Sequence, residues 1–520
     1  MRNRLLLLTW MEGGLVMLLE TASPSVVAPI LGHSVMVWAV MLSLSVGALA
    51  LGYFLGSWFT RKERSYAFLM KLFMVNGFLI LSGYMLLYLQ NGSDSDLVSA
   101  FFSYTIISFV LVLPLILFGS STPVIIALIQ REQGDRSGVV GRMFSNSTFG
   151  GIIFSLVTGY WLIDLLGVGN TVLLAVVLSV SMPLSYFISI RRIPLAGNSG
   201  AMVLGSFVLM TLKPDLPETG NFKTLHFSEG ITGQLIVADF REGNQMLRTL
   251  LINRMGQTKF NMDEKCSGWP YVDYLTSAAS IYPPGSKTLV LGLGGGVAPR
   301  QIAYSLGHSV DAVELDQRII DLSERFFDFW PARITTYSDD ARRYVKKYKG
   351  CYDFIVLDIF NGEIMPSHGL SVEAFSDIDR ILKPGGLVAI NFNGFLSGKE
   401  GTAGRSLIRT IEAAGFNVAL FDCGAGNMAE KDRNLLYFAY KEAPKWQKTR
   451  AFMMLAEKEY RIDEHLMSMD SLPQGESYVI TDDKPVLEYI NRYAADIWRK
   501  DYLNNYTRKF KKDYQLPLVR

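Results

Sequence analysis

Up to Thr211 the chain consists largely of apolar runs long enough to cross a bilayer, and beyond it such runs stop. A spanning helix needs about 20 mostly apolar residues. Six segments reach that length: Leu5 to Ile30, Val35 to Phe59, Ala67 to Leu89, Leu97 to Phe118, Phe144 to Leu166 and Thr171 to Ile190. A seventh, Ile193 to Leu212, is interrupted by Gly197, Asn198 and Gly200, and reads either as a span or as an interfacial segment. No A-x-A-like cleavage site follows the first run, so a removable signal peptide is not expected. Basic residues at Arg2 and Arg4, Arg61 to Arg64, Arg131 to Arg142 and Arg191 and Arg192 alternate with the acidic loop at Asp94 and Asp96 and with nearly uncharged loops. By the positive-inside rule the N-terminus and Arg191 face the cytoplasm.

Composition agrees with this division. Charged residues are 19% of the 520 and mean hydropathy is +0.22, above the soluble norm. A net charge of +2 gives no ground for nucleic-acid binding. Cys266, Cys351 and Cys423 are odd in number and widely spaced, with no metal-ligand pattern, so reduced thiols and no metal are expected. Within the apolar half, Glu12, Glu20 and Asp164 are acids at or near membrane depth, where a carboxylate is costly. They read first as hydrogen-bonded or protonated between helices, and second as a cation-handling device. Gly47, Gly52, Gly56, Gly150, Gly151 and Gly159 suit close helix packing.

After the boundary the pattern changes twice. Between Lys223 and Phe260, short alternating runs separated by Glu242-Gly-Asn and Met255-Gly read as antiparallel hairpins. From Lys287, apolar strands at Thr288 to Leu291, Ser309 to Val313, Phe354 to Leu357 and Leu387 to Asn391 alternate with helices, as in a parallel doubly wound sheet. The first strand enters Leu291-Gly-Leu-Gly-Gly-Gly-Val, whose Gly292, Gly294, Gly295 and Gly296 allow close backbone approach to a nucleotide. Glu314 follows the second strand, about 20 residues on, where an acid holds ribose hydroxyls. Asp340, followed by Ala341, stands after the third strand and can accept from an adenine amino group. Asp358 ends the fourth at the carboxyl edge, where open sheets bind ligands. The fold class is therefore an N-terminal polytopic α-helical membrane domain, 1–212, and a C-terminal α/β Rossmann-like domain, 283–445. A small antiparallel β domain, 213–282, precedes the latter, and a helical basic and aromatic tail, 446–520, follows it.

These residues resemble the spermidine synthase (polyamine aminopropyltransferase) family, in the form fused behind a transporter-like membrane region and with a methyltransferase-type Rossmann fold. The resemblance rests on Leu19-Glu20, Ala28-Pro-Ile-Leu-Gly-His, Val37-Trp and Leu51-Gly-Tyr-Phe-Leu-Gly in the first half. In the second it rests on Gly256-Gln-Thr, Asp263-Glu, Tyr271-Val-Asp-Tyr-Leu, the glycine loop, Val313-Glu-Leu-Asp, Asp340-Ala-Arg, Tyr352-Asp and Thr481-Asp-Asp-Lys-Pro-Val-Leu-Glu. It implies transfer of an aminopropyl group from decarboxylated S-adenosylmethionine to an amine or polyamine, without a metal. Gln257 and Tyr271 would line the cleft, Asp273 would hold a substrate amine, and Asp358 would be the base. A homo-oligomer in contact with the lipid bilayer of the inner or plasma membrane is expected. Adenosyl donors are cytosolic, so the catalytic domain is placed in the cytoplasm, with Ile193 to Leu212 not fully crossing.

Two departures bear on function. Where the family carries an acid after the triple glycine, facing the donor's ammonium, this chain has Val297, and where it carries a second acid toward the acceptor, this chain has Asn361. Each loss removes a charge-assisted hydrogen bond of about 1.5–3 kcal/mol. Two alternatives stand beside aminopropyl transfer: a methyltransferase using intact S-adenosylmethionine on a membrane-associated acceptor, and a transporter or sensor that binds the nucleotide without turnover. The tail, with Arg499, Lys500, Arg508 and Lys509 interleaved with Tyr502, Tyr506 and Phe510, reads as a solvated helix or a contact for anionic headgroups.

Overall fold

The structure is a computed structural model that describes residues 2–32, 35–62, 65–89, 104–133, 138–211, 216, 218–230, 232–328, 331–360, 362–423, 434–444 and 466–510. It forms two compact units, one the helical region up to Pro217, the other containing Glu218–His226 and Leu235–Asp513.

The first unit contains α1 (Arg2–Leu31), α2 (Val35–Lys62), α3 (Tyr66–Leu89), α4 (Leu113–Gln133), α5 (Gly138–Val157), α6 (Ile163–Ser189) and α7 (Ile193–Thr211). Six stretches among the described residues are long and apolar enough to cross a membrane. One of them, Val140–Ser189, contains Gly167 at φ 82° and ψ 167°, so it is two helices joined by a break. The fourth expected segment ends at Phe118 on the polar run Ser120 to Thr122, yet the helix continues to Gln133. Its hydroxyls are satisfied internally: Ser121 donates to the Phe118 carbonyl at 2.7 Å and Ser120 to the Gly52 carbonyl at 3.1 Å, while Thr122 donates to Glu12. Polar side chains that return their hydrogen bonds to neighbouring helices do not end a buried helix. Close approach explains part of the glycine pattern. A Cβ on Gly52 would stand 2.4 Å from the Ile116 carbonyl, one on Gly56 2.4 Å from that of Ser120, and one on Gly150 2.1 Å from that of Trp10, whereas Gly47 faces open space.

Beyond the helices, β1 (Phe222–Gly230), β2 (Gly233–Glu242), β3 (Gln245–Ile252), β4 (Met255–Asn261) and β5 (Cys266–Ser267) form an antiparallel sheet in sequence order. The β3–β4 turn places Asn253 and Arg254 at φ 49° and 68°, the twist a two-residue hairpin needs. Next come α8 (Tyr271–Ala279) and alternating strands and helices: β6 (Lys287–Leu291), α9 (Val297–Leu306), β7 (Ser309–Glu314), α10 (Gln317–Phe326), β8 (Ile334–Ser338), α11 (Ala341–Lys347), β9 (Tyr352–Leu357), α12 (Val372–Ile381) and β10 (Leu382–Asn393). After α13 (Thr402–Ala413), the strands β11 (Asn417–Asp422) and β12 (Asn434–Tyr440) complete a seven-stranded sheet in the order β11-β12-β10-β9-β6-β7-β8. The five strands of the Rossmann pattern pair in parallel, while β12 pairs antiparallel with β10 and β11. The last helix, α14 (Leu487–Phe510), packs on α13 and β4.

Candidate active site

Strand order reverses between β6 and β9, so the loops that follow them leave the sheet side by side. This is the switch point where doubly wound sheets bind ligands. The Asp358 amide donates to the Leu291 carbonyl at 2.8 Å. Gly292, at φ 96°, lies so close to Asp358 that a Cβ there would stand 2.1 Å from its carbonyl oxygen. Only glycine meets both conditions. Gly294 and Gly296 also have positive φ, and Gly295 donates its amide to Thr258 Oγ1 at 2.7 Å, tying the loop to the antiparallel sheet.

Glu314, at the end of β7, accepts from the Leu293 amide at 3.1 Å and from the Asp316 amide at 3.1 Å. Burial pushes its carboxyl above the ordinary glutamate range, and the two amides partly offset this. The next residue, Leu315, is 62% exposed, an apolar surface beside the acid. Asp340 caps α11 by accepting from the Arg343 amide at 2.8 Å, and its other oxygen stands 3.7 Å from His368 Nε2. Ala341 lines a small apolar hollow with Leu291, Leu357 and Ile359. Glycine loop, Glu314, Leu315 and Asp340 thus follow the carboxyl ends of three adjacent strands, a set of donors, acceptors and apolar surface that fits an adenosyl group.

Asp358 is held from two sides: Tyr271 Oη donates to one carboxylate oxygen at 2.9 Å and Asn391 Nδ2 to the other at 2.8 Å. Burial raises its carboxyl above the usual aspartate range, and the bonds from Asn391 and Tyr271 pull it part of the way back. The trio borders a cavity of about 260 Å³, whose wall also includes Gln257, Trp269, Phe360, Asn393, Trp498 and Tyr502. Gln257 donates to the Gly362 carbonyl at 2.9 Å, bracing the loop that follows Asp358.

The expected residues divide by position. Gln257, Tyr271 and Asp358 meet at the cavity. Asp273 does not line it. Buried at 6% exposure, it accepts from Gln301 on α9 at 2.8 Å, because residues two apart on a helix point to different sides. Its position therefore does not support contact with an acceptor amine. Asn361 lies outside the described residues. Val297, the first residue of α9, is buried in an apolar cluster with Leu235, Val237, Ile252 and Phe260. The tail also differs from its reading as a solvated or lipid-facing helix. Trp498 and Tyr502 line the cavity, and Arg499 is buried, donating to Glu363 at 2.9 Å and to the Asn253 carbonyl at 3.0 Å. Side chains from Tyr506 onward lie outside the described residues. Nothing local in the sequence marks Asn391, Trp498 and Tyr502 as residues of this cavity. Trp498 and Tyr502 carry one trace in sequence: four residues apart, they share a helix face. Cys423 also lines the cavity, and all three cysteines are free thiols.

The model of the spermine/spermidine synthase domain matches residues 272–400. A probable polyamine aminopropyl transferase of Bifidobacterium longum is 26% identical over 338 residues, covering 61% of this chain and 73% of that protein. A polyamine aminopropyltransferase of Vibrio vulnificus is 36% identical over 129 residues, which are 24% of this chain and 43% of that enzyme. Among solved structures, spermidine synthase from Thermotoga maritima aligns at 14% identity with a TM-score of 0.36, covering 56% of this chain and 99% of that one. The matched domain runs from Val272 in α8 through the glycine loop and Asp358 to Glu400, and over that stretch the chain is similar to the spermine/spermidine synthase domain.

Proposed function

We propose that the protein is a membrane-bound, spermidine-synthase-like transferase of the polyamine class that alkylates an amine with decarboxylated S-adenosylmethionine. The carrying observation is the position of Asp358, at the switch point against the glycine loop, fixed by Tyr271 and Asn391 and open to a cavity. Glu314 would hold the ribose and Asp340 with Ala341 the adenine. An ammonium has no lone pair, so a carboxylate must take its proton before nitrogen can attack. The nitrogen then bonds to the aminopropyl carbon as the carbon–sulfur bond breaks, and the electron pair goes to sulfur, leaving neutral methylthioadenosine. The proton on Asp358 passes to solvent. A buried carboxyl with a raised affinity for protons suits that exchange. The donor is a sulfonium and already an activated leaving group, so no metal is invoked.

The apolar helices support a multi-pass location in the inner or plasma membrane, with the transferase domain on the cytoplasmic side where the donor is made. To test the activity, the full chain in detergent is supplied with each donor and an amine, and the released thioether is identified by mass spectrometry. Methylthioadenosine is expected. S-adenosylhomocysteine in its place would establish methyl transfer and overturn the proposal.

A further inference from the structure

Of the three acids within the apolar segments, Glu12 is the buried one: it is 3% exposed, whereas Glu20 is half-buried and Asp164 lies on the surface. Its depth follows from its place in α1, ten residues or about 15 Å beyond Arg2. The turn of α4 that meets it is equally deep, since Thr122 stands eleven residues, about 16 Å, before Gln133. The helices close tightly at this level. A Cβ on Gly13 would stand 2.0 Å from the Ser147 carbonyl oxygen, so α1 lies directly against α5 while its acid meets α4.

The oxygens around Glu12 outnumber the protons offered to them. Thr122 gives its hydroxyl proton to Oε1, and the enclosed Oε2 has no hydrogen-bond partner among the described residues. Ser121 lies within hydrogen-bonding reach of the same carboxyl, yet its hydroxyl proton goes to the Phe118 carbonyl at 2.7 Å, which leaves the oxygen's lone pairs beside Glu12. One position further, Pro123 has no N–H to return to the Gly119 carbonyl a turn back, so another oxygen loses its regular helical donor. Carboxylate, hydroxyl and carbonyl oxygens without donors are the ligands that hard cations take.

An ionised carboxyl at this depth is strongly unfavourable unless a positive charge accompanies it. One carboxylate balances one unit of charge, so a monovalent ion leaves the site neutral and a divalent ion does not. Ligands that are all oxygen suit an alkali ion rather than a transition metal. The close approach of α1 and α5 suits a bare ion rather than an organic ammonium. We propose that Glu12 of α1 and residues 119–123 of α4 form a sodium-binding site inside the helical unit. Glu12 Oε2 is its charged ligand, and Ser121 Oγ and the Gly119 carbonyl are neutral ones. Membrane helices with interrupted backbone bonding use freed carbonyls for ions in the same way. The site is separate from the transferase chemistry and gives the helical unit a ligand of its own.

The test uses the full chain in detergent, melted in mixtures of sodium chloride and choline chloride at constant total salt, so that only the identity of the cation changes. Across a range from about 1 to about 300 mM sodium, the parent's Tm should rise by about 3 °C or more, because an ion that binds only the folded state stabilises it. Glu12→Gln should abolish the rise, and Ser121→Ala should shift the half-maximal sodium concentration at least tenfold. A labelling experiment reads the site in the parent, without a variant. Dicyclohexylcarbodiimide adds to a protonated carboxyl and rearranges to an N-acylurea with no atom lost, a mass increase readable on the Glu12 peptide. Sodium should suppress this labelling at least fivefold at fixed pH. A parent Tm indifferent to sodium overturns the inference, as does an equal rise in Glu12→Gln. Labelling that falls with rising pH yet ignores sodium overturns it too, and would mark Glu12 as a site for a proton alone.

Discussion

In the proposed role of base, Asp358 combines two demands that pull against each other: it would have to be charged to accept a proton, and it is buried where charge is unfavourable. Asp358→Asn should lower kcat by at least ~10²-fold, the usual scale for losing a general base, while nucleotide affinity stays within a few-fold. The same variant should melt at a higher temperature near neutral pH. The folded carboxyl has the raised pKa, so above it the ionised Asp358 weakens the fold, and this penalty fades as pH falls toward the ordinary aspartate value. A Tm equal to or below that of the parent would show that the surrounding bonds already compensate the charge. Tyr271→Phe removes a bond that lowers the Asp358 pKa, so the acid limb of kcat/KM should move to higher pH, with a loss of about tenfold at pH 7. An unmoved limb would exclude Asp358 as the titrating group. Val297→Asp would bring a carboxylate into the apolar cluster around Leu235 and Phe260, and should cost on the order of 2–4 kcal/mol in denaturant unfolding. Recovered discrimination between donors with unchanged stability would mean instead that this position faces the ligand.

At the scale of elements, the most informative piece is α14, which carries Trp498 and Tyr502 to the cavity and is fastened by the buried Arg499–Glu363 pair. Removing one member of such a pair leaves an unbalanced buried charge, about 3–5 kcal/mol. Arg499→Met should therefore expose α14 to limited proteolysis and raise KM for the amine, and Glu363→Met added to it should reverse much of both effects. Equal protease resistance in parent and single variant would show that other contacts hold the helix. This element also marks where sequence reading stops. The parallel strands, the glycine loop, Glu314 and Asp358 were legible because each is announced locally, by an apolar run that ends in a glycine or an acid. Asn391 and Trp498 gain their meaning only when β10 and α14 meet beside β9, a juxtaposition no short window contains. Arg499, in a stretch of Lys and Arg, reads as solvated until the structure pairs it with Glu363. β11 and β12 are not marked in the sequence, because short, continuously apolar runs do not distinguish strand from buried helix.

For the molecule as a whole, under the proposed membrane location, the number of crossings decides which side the transferase domain occupies. The break at Gly167 divides Val140–Ser189 into two helical segments, each a candidate pass, and α7 at 19 residues extends ~28 Å, close to a hydrocarbon core of about 30 Å. With Arg2 and Arg4 held inside, six passes keep the domain with its donor, and a seventh would carry it away. A reporter fused after Arg520 should give a cytoplasmic signal, with Ile193–Thr211 lying short of a full crossing. A signal from the far side would require another source of donor. The closing of the cavity by α14 has a further consequence, one of timing. During synthesis the apolar helices leave the ribosome before the glycine loop and Asp358, and Trp498 and Tyr502 emerge long after both. A nascent chain can thus have its helical unit and glycine loop formed while the cavity beside Asp358 still stands open, so that on the proposed function the ability to select an acceptor is acquired only as α14 docks.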